Sequence, residues 1–226
     1  MNNIEIMGVL NITDNSFHDG GKYNSFKGSF QHAKEMIQED ADIIDIGAES
    51  SKPGADPVSS KDQIKKIEPV VDAIREVSDI PISIDTRSSD VIKKLTKYKI
   101  NIVNDISSLQ DIELISVIKE NNLTVSLMHM QGVPKNMQDN PTYNDVVSDV
   151  YSYLEKKVQL CLDSGIDKDK IIIDPGFGFG KTLDHNYLIL NNLEKYTKLG
   201  CRILSGISRK SRIGSVINKP PSDRLF

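Results

Sequence analysis

The stretch Met7-Gly8-Val9-Leu10-Asn11-Ile12-Thr13-Asp14-Asn15-Ser16-Phe17 passes from a short apolar run straight into a polar turn, and the first paired glycines, Gly20-Gly21, arrive only after it. An open parallel sheet that binds a dinucleotide carries GxGxxG at this first strand-to-helix turn, where glycine lets backbone approach a pyrophosphate. That fingerprint is missing here. Polar residues stand instead at the C-terminal end of one apolar run after another: Asn11, Glu49, Asp85, Asn104, His129, Asp174 and the triplet Ser208-Arg209-Lys210. A closed (β/α)8 barrel of TIM type assembles its site from the C-terminal ends of many strands, so the turns favour a barrel over an open doubly wound sheet.

Outward from that turn, runs rich in Ile and Val alternate with segments of helical period. Strands are predicted over Ile4–Leu10, Asp42–Gly47, Pro81–Asp85, Ile100–Asp105, Leu123–Met130, Lys170–Asp174 and Arg202–Ile207. Helices are predicted over Phe26–Glu39, Ser59–Val77, Ser88–Lys97, Ile112–Asn121, Asn144–Ser164 and Asp184–Lys198, with a seventh opening after Ser208. In the second of these, Ile64, Ile67, Val70, Val71 and Ile74 share one face. The strand runs read as almost continuously apolar, which calls for a parallel sheet covered by helices. Seven βα units are legible with no linker, solenoid-length repeat or low-complexity segment, so residues 1–226 are read as one domain.

Composition narrows the function. The 226 residues carry 28 Lys+Arg against 32 Asp+Glu, a formal net charge of -4, and 38% hydrophobic residues, which suits a domain with a sizeable core. No basic run marks a nucleic-acid binder. No apolar run approaches the roughly 18 residues needed to span a bilayer, and no charged-then-apolar leader precedes Met7, so a membrane partner is not expected. The two cysteines, Cys161 and Cys201, have neither CxxC spacing nor a histidine cluster beside them, which fits a reduced cytoplasmic protein without structural zinc.

Four constellations bear on chemistry, each with a plainer alternative. Asp174-Pro175-Gly176-Phe177-Gly178-Phe179-Gly180-Lys181-Thr182 ends in GKT, yet a Walker loop needs glycine where Pro175 stands, so the segment is read as a glycine-and-aromatic ligand loop or a mere turn. Asp85 and Asp174 with Asn104 would converge in a barrel mouth and accept hydrogen bonds from a heterocycle bearing an amino group and a ring N–H. Taken singly, Asp85 serves equally as a helix cap and Asn104-Asp105 as a turn pair. Lys210 offers an anion or a ring a cation, or belongs to a surface cluster. His129, between two methionines, reads first as a core or supporting histidine. No Ser-His-Asp set or three-ligand metal spacing is legible, so proteolysis and zinc hydrolysis lack support.

Together these motifs resemble the dihydropteroate synthase family, pterin-binding (β/α)8 barrels of folate biosynthesis. The likeness runs through Met7–Thr13, the first loop Ser16-Phe17-His18-Asp19-Gly20-Gly21, Asp42–Ala55, Ile82–Thr86, Asn104-Asp105-Ile106, Leu127–Gly132, Asp174–Thr182 and Ser208–Ser211. The resemblance implies a transferase that joins p-aminobenzoate to 6-hydroxymethyl-7,8-dihydropterin pyrophosphate, releasing pyrophosphate and giving 7,8-dihydropteroate. It implies that Asp85, Asn104, Asp174 and Lys210 hold the pterin, with Met128, Gly178 and Phe179 beside it. Phe17, Asp19, Ser51, Pro53 and Ser211 match the p-aminobenzoate pocket, and Lys52 the place of a pyrophosphate-organising arginine. Asn11 is implied at the pyrophosphate and Mg2+, and Asn11, Asp19 and Lys210 are the residues implied in the catalytic step. A homodimer and sensitivity to sulfonamides come with the same resemblance.

The chain departs from the pattern at Asp14-Asn15, where the family has Pro-Asp, and at Ser51-Lys52, where it has Thr-Arg and hence a bidentate phosphate fork. It also stops at Arg224-Leu225-Phe226, and the expectation is a C-terminally incomplete barrel of low stability without the eighth strand and its anion-binding Arg and His. A degenerate, non-catalytic pterin-binding protein and a pterin-dependent methyltransferase domain are the alternative functions.

Overall fold

The computed structural model describes residues 4–12, 26–51 and 54–208. Seven strands, β1 (Met7–Asn11), β2 (Ile43–Gly47), β3 (Ile82–Asp85), β4 (Ile102–Asp105), β5 (Thr124–Met128), β6 (Ile171–Asp174) and β7 (Arg202–Ile203), lie side by side in sequence order, every neighbouring pair parallel. Between them run α1 (Phe26–Gln38), α2 (Ser60–Val77), α3 (Ser89–Leu95), α4 (Glu113–Glu120), α5 (Val146–Asp163), α6 (Leu183–Asn191) and α7 (Leu193–Tyr196). Strictly sequential parallel order with a helical crossover each time is the TIM-barrel arrangement. The sheet curls until its edges approach: Arg202 Nη1, on β7, lies 3.0 Å from Oε2 of Glu5, just before β1.

Two apolar layers hold the sheet. Outward strand residues such as Ile44, Ile46, Ile82, Ile84, Val103, Val125, Leu127 and Ile173 pack with the helices in one continuous core. A second, small cluster joins Ile43, Ile102 and Ile172, from alternate strands β2, β4 and β6, with Met7 and Leu204. Side chains from alternate strands stacking in a layer are the signature of a filled barrel interior, so this cluster is the floor of the lumen.

Because strand side chains alternate, the inward positions above that floor follow by period two: Asp45 and Gly47 on β2, Ser83 and Asp85 on β3, Asn104 on β4, Ser126 and Met128 on β5, Asp174 on β6. The strands are therefore not continuously apolar. Their outer faces are aliphatic and their inner faces turn polar halfway up.

Helix ends explain the small boundary shifts. Ser59 caps α2, its side chain accepting from the Asp62 N–H, and Ile67, Val70, Val71 and Ile74 are buried on the expected face with Ile64 partly so. Asp145 caps α5, accepting from the Val147 and Ser148 N–H groups, so that helix starts two residues later than Asn144. The expected sixth helix is interrupted at Asn192, whose Nδ2 donates to the Leu188 carbonyl at 2.8 Å and competes with the helix ladder. At β1 pairing begins only at Met7, Ile4 being 87% exposed, and β7 pairs over two residues rather than six. The expected helix after Ser208 lies outside the described residues.

Candidate active site

The strand register builds a row across the barrel mouth. Asn11 pairs with Gly47, Gly47 with Asp85, Asp85 with Asn104, and Asn104 with Ser126. One step beyond, Met128 pairs with Asp174. Gly47 keeps the row open, since a Cβ there would sit 3.1 Å from Asp85 Cβ and 3.2 Å from its Oδ2. Thr86, buried after β3, donates its hydroxyl to Gln63 Oε1 of α2 at 2.7 Å and so fixes the turn that presents Asp85.

The pair Asn104-Asp105 divides between the two functions its sequence allowed. Asn104 points inward, and its Nδ2 donates to Asp45 Oδ2 at 3.1 Å. Asp105 points outward and caps the turn that follows, accepting from Ser107 N and Oγ at 2.8 and 2.6 Å and from Leu109 N at 2.6 Å. In that turn the Ser108 hydroxyl donates to the Met128 carbonyl at 2.7 Å, tying β4 to the end of β5.

Acids crowd the inner face. Burial pushes the Asp85 carboxyl well above the usual carboxylate range, and the charges of Asp45, Glu49 and Asp105 add to this while Arg87 opposes it. Asp45, 4% exposed, is raised as well, again chiefly by burial, with the Ser83 hydroxyl and the Asn104 amide acting against it. Arg87 Nη2 donates to Glu49 Oε1 above them. Ser126 Oγ is buried without a hydrogen-bond partner among the described residues. A mouth so rich in acceptors favours a ligand that brings donors.

The loop after β6 forms the far rim. Asp174 Oδ1 accepts from the Gly176 N–H at 2.7 Å. Gly176 has φ +70, and a Cβ there would lie 1.9 Å from the His129 carbonyl oxygen, so no other residue fits between this loop and β5. The carbonyl of Gly178 accepts from Gln138 Nε2, its N–H donates to Asn186 Oδ1 at 2.7 Å, and Tyr143 Oη donates to the Gly180 carbonyl at 2.6 Å.

With this geometry the comparisons agree. A family model described as pterin binding enzyme matches residues 7–226. The chain belongs to that family. It is 44% identical over 220 residues to the dihydropteroate synthase of Escherichia coli K12, covering 97% of this chain and 78% of that protein. The Yersinia pestis dihydropteroate synthase in a sulfonamide drug complex superposes with a TM-score of 0.92 at 41% identity, covering 98% of this chain and 80% of that one. The Xanthomonas albilineans dihydropteroate synthase with 4-aminobenzoic acid gives 0.90 at 32%, covering 99% and 80%. Within the pterin-binding enzymes the chain therefore groups with the dihydropteroate synthases, which are transferases, and these matches speak against the methyltransferase and degenerate alternatives.

Among the positions implied by the pterin-binding family, Asp85, Asn104, Met128 and Asp174 lie at strand ends facing the lumen, and Asn11 is exposed at the end of the row. Ser51 and Asp85 share a cavity of about 350 Å³ whose walls also include Glu49, Arg87, Ile106 and Pro134. Asn104, Met128, Asp174, Gly178 and Phe179 are not part of that cavity's lining. Phe17, Asp19, Lys52, Pro53, Lys210 and Ser211 lie outside the described residues. Asp45 and Ser126 are additions that strand-end reading overlooked. Their signal was present as period-two alternation inside Ile43–Gly47 and Thr124–Met128.

Proposed function

We propose that this chain catalyses the dihydropteroate synthase reaction, with Asp85, Asn104 and Asp174 reading the pterin. The observation that carries the assignment is the Asp85–Asn104 pair on adjacent strands, set above Asp45 in an acceptor-rich mouth. The 2-amino-4-oxo ring of a pterin offers an amino group and ring N–H donors, the complement of such a set, and burial makes an unmatched donor or acceptor costly. Met128 and Phe179 supply apolar contact to the ring, and Lys210 supplies a cation and its stem. Gly178 stays beside the pterin, Ser51, Pro53, Phe17, Asp19 and Ser211 belong to the p-aminobenzoate side of the proposal, and Lys52 to pyrophosphate.

The reaction breaks the bond between the pterin methylene carbon and the pyrophosphate oxygen and forms one to the aniline nitrogen, which then loses a proton. A delocalised pterin and a good leaving group leave little acid–base work for the protein, so its part is to orient the ring and exclude water. Among the described residues no cluster of three or more His, Cys, Asp or Glu suits a metal ion. Mg2+ commonly takes one or two protein oxygens together with substrate phosphates, and the exposed Asn11 amide oxygen fits that pattern. When bound there with pyrophosphate, Mg2+ supplies charge neutralisation at the leaving group.

A homodimer and a cytoplasmic location complete the proposal on the resemblance. Both described cysteines are free thiols, and no helix among the described residues is long and apolar enough to cross a membrane. Formation of 7,8-dihydropteroate from labelled p-aminobenzoate and the pterin pyrophosphate, inhibited competitively by a sulfonamide, is the expected assay result. Pterin binding with no product would leave a binding module in place of the enzyme.

A further inference from the structure

Lys181 is the lysine that gives the loop its phosphate-loop look, yet it is 0% exposed. Its Nζ lies 2.8 Å from His129 Nδ1, 2.9 Å from the Gly176 carbonyl oxygen, 3.0 Å from that of Phe179 and 3.2 Å from that of His129. An ammonium only donates, so Nδ1 of His129 must accept and the ring proton must sit on Nε2. Burial, and then the charge of Lys181, push the His129 ring down to about 3, so it stays neutral throughout the physiological range. Its ring is held edge-on to Tyr153 at 4.9 Å between centroids.

These contacts span two elements. Gly176 and Phe179 belong to the loop after β6, while His129 directly follows Met128 at the end of β5. The loop carries Gly176, Gly178 and Gly180, all at positive φ, so it has much conformational freedom to lose on ordering. A buried cation that gathers two of its carbonyls and a third from the end of β5 ties the ordering of the loop to β5, because pulling the loop away strips that charge of most of its acceptors.

We propose that Lys181 and His129 form a positioning pair that sets Phe179 and Gly178 at the rim of the pterin site, so that Lys181 governs pterin affinity without touching the pterin. The proposal rests on the pterin reading above, and it separates the GKT lysine from any phosphate.

The test is calorimetry with 6-hydroxymethyl-7,8-dihydropterin pyrophosphate and steady-state kinetics on the full chain, for the wild type, Lys181→Met, His129→Asn and His129→Phe. Lys181→Met, which keeps the stem and removes the donors, should weaken pterin binding and raise KM for the pterin substrate by about tenfold or more, with KM for p-aminobenzoate changed by less than about threefold. His129→Asn retains an acceptor near the place of Nδ1 and should stay within about threefold of wild type, whereas His129→Phe keeps a ring without the acceptor and should lose about tenfold. Wild-type protein that fails to bind the pterin would overturn the functional reading itself. Wild-type binding with Lys181→Met equally tight would overturn the positioning pair alone. If Lys181→Met does not fold, the two His129 variants decide, and equal pterin affinity in both would overturn the pair.

Discussion

At the end of β3, Asp85 is surrounded by like charge, Asp45 and Glu49 from β2 and its loop and Asp105 from β4, which the guanidinium of Arg87 opposes. Both Asp85 and Asp45 are raised by burial first, so in the unliganded protein their ionisation works against folding. An unfolded aspartate ionises near about 3.9, so between that value and the raised folded ones the native state holds more protons than the unfolded chain. Stability conferred by these acids is thus greatest at low pH and falls as pH rises through the folded values. Thermal unfolding from about pH 4.5 to 7.5 should show this loss, and Asp45→Asn should flatten it; identical slopes would contradict the assignment. Pterin donors favour the ionised carboxylate, so binding should release protons and pterin affinity should rise over the same range. Asp85→Asn should remove that pH dependence and weaken binding about tenfold or more, measured by titration at several pH values.

Elements are fixed by polar hubs at their ends as much as by their apolar faces. Arg75, on α2, donates from Nε to the Tyr98 carbonyl at 2.9 Å, from Nη1 to that of Ile80 at 2.6 Å and from Nη2 to that of Lys99 at 3.0 Å, joining α2 to the segments that feed β3 and β4. Arg75→Ala should cost about 2 kcal/mol in chemical denaturation, and Arg75→Lys should recover little because an ammonium lacks the fork. Removing the α5 cap by Asp145→Ala should cost about 1 kcal/mol, read in the same way. Element order and most boundaries were legible because short Ile- and Val-rich runs alternate with segments of 3.6-residue period in this chain: β3 was expected at Pro81–Asp85 and runs over Ile82–Asp85. The edges were less legible. Ile4 and Ile6 look like strand residues, yet the register begins at Met7: the Ile6 carbonyl accepts from the Asp42 and Ile43 N–H groups at the foot of the sheet while Ile4 lies exposed, and pairing partners are a tertiary fact.

Across the molecule, one curled sheet separates an aliphatic shell from a lumen with an apolar floor and a polar mouth. Strand-end polar residues announced Asp85, Asn104 and Asp174, because a barrel places every strand end on one rim, while Met128 came only with the family resemblance. Asp45 and Ser126 were hidden inside apolar runs, where a single polar residue on the lumen side looks like noise, and Lys181 was hidden by a motif that points outward in other folds. With Asn11 the only metal-facing residue proposed among those described, excess chelator should abolish turnover and leave bare-pterin affinity within about threefold; full turnover in chelator would remove the ion from the reaction. The most direct test of the central claim is calorimetric titration of 6-hydroxymethyl-7,8-dihydropterin pyrophosphate into wild type, Asp85→Asn and Asp174→Asn, each shown to be folded by a cooperative melt. The expected result is one site per chain in the wild type, weakened about tenfold or more in either variant. Wild-type protein without binding, or variants that bind as tightly as wild type, would contradict the claim that this barrel mouth reads a pterin through its strand-end acids.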